Sequence, residues 1–106
     1  MARAAGPAFS LIATGLALSG PAVAQAPPGD RPPAAIYART CGYCHGQNVA
    51  PVIRGRHLPP DLIVQLVRTG PRAMPAFRPT EITDRELDAL SRWISASAAD
   101  PKEHGK

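Results

Sequence analysis

Cys41-Gly42-Tyr43-Cys44-His45 is the stretch from which the rest of this chain can be read. It holds both cysteines of the sequence, with a histidine directly after the second. A disulfide across so short a loop would restrict the unfolded chain very little. A thioredoxin-like Cys-x-x-Cys pair belongs in a βαβ setting, which the flanking sequence does not provide. A zinc site needs two further ligands; His45, His57 and His104 are available, but their spacing matches no usual zinc pattern. One chemistry uses all three residues. Each thiol can form a thioether to one of the two vinyl groups on a haem edge, and the adjacent histidine offers a ring nitrogen to the iron. The motif therefore reads as the attachment site of one covalently bound haem c.

At 106 residues the chain has room for one domain. Arg3 precedes an uncharged, largely apolar run from Ala8 to Leu18, and small residues follow, with Ala22-Val23-Ala24 and Ala24-Gln25-Ala26 as cleavage sequences. This pattern predicts a secretory signal peptide over 1–26, cleaved after Ala24 or Ala26, and so a periplasmic protein with no stable membrane insertion after cleavage. As an uncleaved anchor the run falls short of the ~18 residues of a spanning helix. About 80 residues then remain, a size that usually needs a staple. A large apolar cofactor would supply much of that core.

The 12 Lys and Arg against 8 Asp and Glu give +4. Loss of Arg3 with the signal leaves 11 bases against the same 8 acids. Arg54, Arg56, Arg68, Arg72 and Arg78 lie between His45 and Thr80 with Asp61 as the one acid among them. A basic zone beside the motif suits an acidic protein partner; its plainer role is solvation, with one arginine meeting a haem propionate. The export signal and the small net charge argue against nucleic acid.

Residues 27–33 form a proline-rich, irregular leader. Ala34 to Thr40 predicts a short helix running into Cys41, with Ile36 and Tyr37 inward and Pro33 suited to its first turn. Gly46 to Gly55 reads as a loop. Pro59-Pro60-Asp61 opens a second helix, whose Leu62, Ile63, Leu66 and Val67 make one apolar face and whose stop is Gly70. Pro71, Pro75 and Pro79 stiffen the loop after it. Thr83 and Glu86 are a capping box, Ile82 and Leu87 the matching staple, and Leu87, Leu90 and Ile94, with Trp93 beside them, give the last helix its inner face. No segment alternates at period two. The expectation is an all-α domain over 34–98, three to four short helices around one haem, with 99–106 a mobile polar tail.

His45 fills one axial position of the iron. Met1 leaves with the signal, so Met74 is the one methionine of the mature chain. The proline-stiffened loop around it loses less freedom on folding, which favours holding a weak thioether ligand. Met74 is thus the expected sixth ligand, against its plain alternative as a core gap-filler. His57 and His104 are the rivals, the latter in the tail. With His45 and Met74 both bound, no coordination position is open for catalysis, and one-electron transfer rather than enzymatic turnover is expected.

Together these residues resemble the class I cytochromes c. The resemblance runs from about Tyr37 to Ile94 through Cys41-Gly42-Tyr43-Cys44-His45-Gly46, Ala50-Pro51-Val52-Ile53, Met74-Pro75-Ala76-Phe77 and Trp93-Ile94. It implies that Pro51 offers its backbone carbonyl to the second ring nitrogen of His45. It also implies that the first and last helices cross with Tyr37 near Trp93, and that Pro51, Ile53, Arg56, Tyr37 and Trp93 surround the haem. Pro33 stands where the family usually has a small glycine, so a later start and a different crossing of the first helix are expected. Within the class, Gly55-Arg56-His57-Leu58-Pro59, Val67-Arg68-Thr69-Gly70 and Arg72 to Phe77 are similar to the cytochrome subunits of flavocytochromes that oxidise p-alkylphenols. The similarity implies an FAD-containing dehydrogenase subunit as partner and a downstream acceptor such as a copper protein or another cytochrome. Its alternative is a free soluble carrier between a dehydrogenase or respiratory complex and a terminal oxidase.

Overall fold

The computed structural model describes residues 29–106 together with Gly6, Gly15 and Gly20; apart from those glycines, the predicted signal peptide and both cleavage positions lie outside the described residues. Three helices and no strand form the described part. Helix α1 covers residues 33–45 without a break, as an α turn over Pro33–Ile36, a π turn over Tyr37–Cys41 and a last α turn over Gly42–His45. Pro33 occupies the first helical position, where a missing N–H leaves nothing unsatisfied. The later start expected of this helix is therefore not what happens: the proline begins it.

Helix α2 is Pro60–Thr69. Asp61 in its first turn and Arg68 in its last oppose the ends of the helix dipole. Gly70 ends it in the left-handed conformation at φ 60°, its N–H bonded to the Leu66 carbonyl at 2.9 Å. Ile63 and Val67 are buried, but Leu62 is 40% exposed, so the apolar face is narrower than the sequence pattern predicts. Helix α3 is Asp84–Ala96. Both halves of the capping box form, Glu86 N–H to Thr83 Oγ1 at 3.2 Å and Thr83 N–H to Glu86 Oε2 at 3.0 Å.

One core joins the helices: Ile36 and Tyr37 from α1, Ile63 and Val67 from α2, Ile82 before α3, and Leu87, Leu90 and Ile94 within it. Helix α3 packs on both others. The leader and the tail are both tied to this body. Glu86 is buried, and its carboxylate accepts from the Gly29 N–H at 2.8 Å and from Arg31 Nε at 2.8 Å.

The segment 99–106, expected to be mobile, folds back along the loop after His45. The Asn48 N–H donates to the His104 carbonyl at 2.8 Å, the His104 N–H to the Gly46 carbonyl at 3.0 Å, and the Lys106 N–H to the Ala50 carbonyl at 3.2 Å. The Glu103 carboxylate accepts from the Tyr37 hydroxyl at 2.8 Å. The tail is held by these backbone bonds and by Glu103, while most of its side chains stay exposed.

Candidate functional site

The π turn of α1 brings the chain to Cys41, and the α turn after it carries Cys44 and His45. The two cysteines are not joined in a disulfide. Cys41 packs against the core, and burial pushes its thiol up to about 11; Cys44 is exposed. The loop following His45 returns at once. The Ala50 N–H bonds to the Cys44 carbonyl at 2.9 Å, and this closes a turn that sets Pro51 beside the imidazole. His45 Nδ1 lies 2.7 Å from the Pro51 carbonyl oxygen. A carbonyl only accepts, so Nδ1 carries the proton and Nε2 keeps its lone pair for a metal.

Across from this turn, α2 delivers the Met74 loop. Gly70 is the residue that permits it: a Cβ there would lie 2.7 Å from the Pro75 carbonyl carbon. The loop is fastened by the Phe77 N–H to the Val67 carbonyl at 2.9 Å and by the Met74 N–H to the Pro71 carbonyl at 3.1 Å. Arg68 braces its far side. Its guanidinium donates to the carbonyls of Phe77 at 3.1 Å and Ile82 at 2.9 Å and pairs with Asp84 at 2.6 Å. Sequence reasoning placed Arg68 in a basic zone and in a stretch of the resemblance, and gave it no role in holding the loop.

Between the two walls lies a cavity of about 550 Å³, within the range of small-molecule and cofactor sites. Cys41, Cys44, His45 and Met74 all line it, and so do Pro51, Ile53 and Arg56. The rest of the lining is mostly apolar, with Leu58, Leu66, Phe77 and Ile94 among it. Two sulfurs on one helix, a histidine with its outer nitrogen already engaged, a thioether opposite and an apolar wall fit a haem held covalently at one edge. Arg56, exposed at the rim, supplies a cation for an anionic edge group. Among the described residues no three His, Cys, Asp or Glu side chains converge as a metal cluster, so the zinc alternative finds no ligand set.

Two residues expected around the haem stand elsewhere. Tyr37 and Trp93 do not line this cavity. Their rings pack on each other at 5.2 Å between centroids, the proximity that the resemblance implied. The Arg54 guanidinium lies over both, 5.0 Å from the Trp93 centroid and 5.6 Å from that of Tyr37. Burial, and then the hydrogen bond to the Glu103 carboxylate, hold the Tyr37 phenol well above its usual range. These residues fasten the crossing of α1 and α3 behind the site. The rival histidines are also accounted for. His57 is exposed with Nδ1 3.2 Å from the Ser95 carbonyl, and His104 is exposed in the docked tail; neither lines the cavity.

The family model described as cytochrome c oxidase, cbb3-type, subunit III, matches residues 28–94. The chain is 41% identical over 71 residues to the 4-cresol dehydrogenase [hydroxylating] cytochrome c subunit of Pseudomonas putida, an alignment covering 62% of this chain and 63% of that relative. The chain thus spans under two thirds of the length of the curated relative it matches. Among solved structures it is similar to chains in two crystal structures of p-cresol methylhydroxylase. One, with substrate bound, superposes at a TM-score of 0.60 with 37% identity over 64% of this chain and 95% of that one. The other, at 2.5 Å resolution, gives a TM-score of 0.59 with 37% identity over 62% and 93%.

Proposed function

The chain belongs to the cytochrome c family, matched through the model of cytochrome c oxidase, cbb3-type, subunit III, and from that premise we propose that it is a periplasmic one-electron carrier that accepts electrons from an FAD-containing dehydrogenase subunit. The observation that carries the reading is the 2.7 Å contact of His45 Nδ1 with the Pro51 carbonyl at a cavity that Cys41, Cys44 and Met74 also line. A bound haem would supply an iron that cycles between two oxidation states. Cys41 and Cys44 would hold it by adding their S–H groups across its two vinyl groups, a step that needs no oxidant. His45 Nε2 and the Met74 sulfur would bind its iron. Imidazole and thioether together would raise the reduction potential, which suits one-electron transfer. Leu58, Leu66, Phe77 and Ile94 would keep water from the ring faces.

The partner is drawn from the relatives, one of them a cytochrome c subunit of 4-cresol dehydrogenase and another a chain of p-cresol methylhydroxylase. The mouth of the cavity is suited to docking. Arg56, Arg72 and Ala73 line it and are exposed, so cations surround the route by which an electron would enter. Arg54 and Arg68 are paired with Asp100, Glu103 and Asp84, and neither lines that mouth. The test is purification from an exporting host. A red protein whose haem survives acid extraction, which copurifies with an FAD protein and is reduced when a p-alkylphenol is added, is the expected result. A red protein that purifies alone and accepts no electrons from such a flavoprotein overturns the partner and favours a free carrier between a dehydrogenase or respiratory complex and a terminal oxidase.

A further inference from the structure

We propose that His104, Gly105 and Lys106 are positioning residues for His45, acting through the loop that carries Pro51. The three backbone bonds from Asn48, His104 and Lys106 alternate between tail and loop and run the length of 46–50. Gly105 lies so close that a Cβ would stand 2.7 Å from the Val52 nitrogen, 2.8 Å from Val52 Cγ2 and 3.4 Å from the Pro51 carbonyl carbon. The tail therefore presses on the peptide whose oxygen holds the imidazole. It is anchored upstream in turn. Glu103 accepts from the Tyr37 hydroxyl at 2.8 Å and from Arg54 Nη1 at 3.3 Å, and the Glu103 N–H bonds to the Asp100 carbonyl at 3.0 Å. A continuous set of contacts thus runs from the middle of α1, through Glu103 and the tail, to Pro51 and back to His45. Val49 at 61% exposed shows how little side-chain packing the loop has of its own. Its geometry rests on backbone bonds, and the tail supplies most of those not made to α1.

A hydrogen bond from Nδ1 to a carbonyl makes the imidazole a stronger donor and favours the more oxidised metal. Loosening it raises the midpoint potential. The inference rests on the haem reading of His45, and the experiment separates the two. Covalent haem is first measured in the wild-type exported protein by pyridine haemochrome; its absence sinks that reading before the clamp is probed. In holoprotein, deletion of residues 104–106 and Gly105→Val are then compared with Arg31→Ala, which weakens the opposite end of the molecule. The readouts are solvent exchange of the His45 Nδ1–H by proton NMR and the midpoint potential. The expected result is exchange roughly tenfold faster in both tail variants, as for a loop that opens locally once a few backbone bonds are lost. A higher potential should accompany it, with neither change in Arg31→Ala. If both tail variants melt at lower temperature but keep wild-type exchange and potential, the tail is a brace only and the proposal fails. Should neither variant accumulate as holoprotein, deletion of Lys106 alone removes the single bond to Ala50, and unchanged exchange there refutes the proposal equally.

Discussion

Replacing Glu86 by glutamine tests whether the leader and the last helix are one mechanical unit. The Glu86 carboxylate is 2% exposed and accepts five hydrogen bonds. On Oε1 they come from the Gly29 N–H at 2.8 Å, the Arg31 N–H at 3.2 Å and Arg31 Nε at 2.8 Å; on Oε2 from Arg31 Nη2 at 2.8 Å and the Thr83 N–H at 3.0 Å. Glutamine keeps the volume and the first three acceptances. Its amide nitrogen then faces two donors. One loss is a charge-assisted bond of ~1.5–3 kcal/mol. The other is half of the capping box, ~1 kcal/mol. The Arg31 side chain is 34% exposed and rehydrates in part, which places the total near ~2 kcal/mol. For a domain of this size that corresponds to a fall in Tm of about 10 °C.

The pH dependence gives a second, sharper reading. The Arg31 hydrogen bond, followed by the backbone donors, holds the Glu86 carboxyl well below the usual carboxylate range. A folded value below the unfolded one stabilises the protein above the unfolded pKa of ~4.3, and that stabilisation is lost as pH falls toward the folded value, at about 1.4 kcal/mol per pH unit. Thermal melts of holoprotein between pH 7 and pH 2.5 should show the wild type losing stability faster than Glu86→Gln below about pH 4, so that the two curves converge. A variant Tm within about 3 °C of wild type at pH 7, or curves that stay parallel through acid, refutes the reasoning.

Met74→Ala should abolish the sulfur-to-iron absorption feature of oxidised holoprotein while leaving the haem covalently bound, and His57→Ala should leave that feature intact; its persistence in Met74→Ala rules out the ligand assignment. Gly70→Ala, at φ 60° and against the Pro75 carbonyl carbon, should cost ~1–2 kcal/mol and weaken the same feature by displacing the loop, both read from visible spectra during a thermal melt. Cys41→Ser and Cys44→Ser should each leave one thioether and lower the yield of folded holoprotein on haem-stained gels; undiminished yield from either would deny that cysteine an anchoring role. Electron exchange with a flavoprotein donor should slow as ionic strength rises from 0.05 to about 0.3 M, because Arg56 and Arg72 stand exposed at the cavity mouth; stopped-flow rates independent of salt would remove them from docking.

What the sequence made legible is what neighbouring residues settle among themselves. Thr83 and Glu86 are three positions apart, and their capping box forms as read. Gly70 ends α2 as read, in the left-handed conformation that glycine adopts without a Cβ penalty. The contact of His45 with Pro51 came from the family resemblance, since nothing in the spacing alone places that carbonyl. The residues that were missed act at long range. Arg31 meets Glu86 across 55 positions, and Glu103 meets Tyr37 across 66. A polar segment such as 100–106 carries no periodicity, and only its partners distinguish a docked segment from a free tail. The same is true of Arg54, whose charge marked it as surface although its guanidinium lies on two aromatic rings.

The placing of Tyr37 shows how one backbone feature can separate a residue from the site that the resemblance assigned it to. In a regular α-helix residues four apart share a face, so Tyr37 and Cys41 would both look toward the haem. The turn between them is a π turn, and the Gly42 N–H, five residues on, bonds to the Tyr37 carbonyl. The extra residue rotates everything after it. Gly42 now stands over Tyr37, where a Cβ would come within 3.4 Å of the Tyr37 oxygen. Cys41 and Cys44 turn to the cavity, while Tyr37 is left behind the helix with Trp93 and Arg54. Two demands on α1 are met by that single insertion. Its first half must pack a large aromatic against α3, and its second must present two thiols and an imidazole to the opposite side. A π turn is rarer than an α turn and is frequent at functional sites. Here it lets one short helix serve both the core and the site.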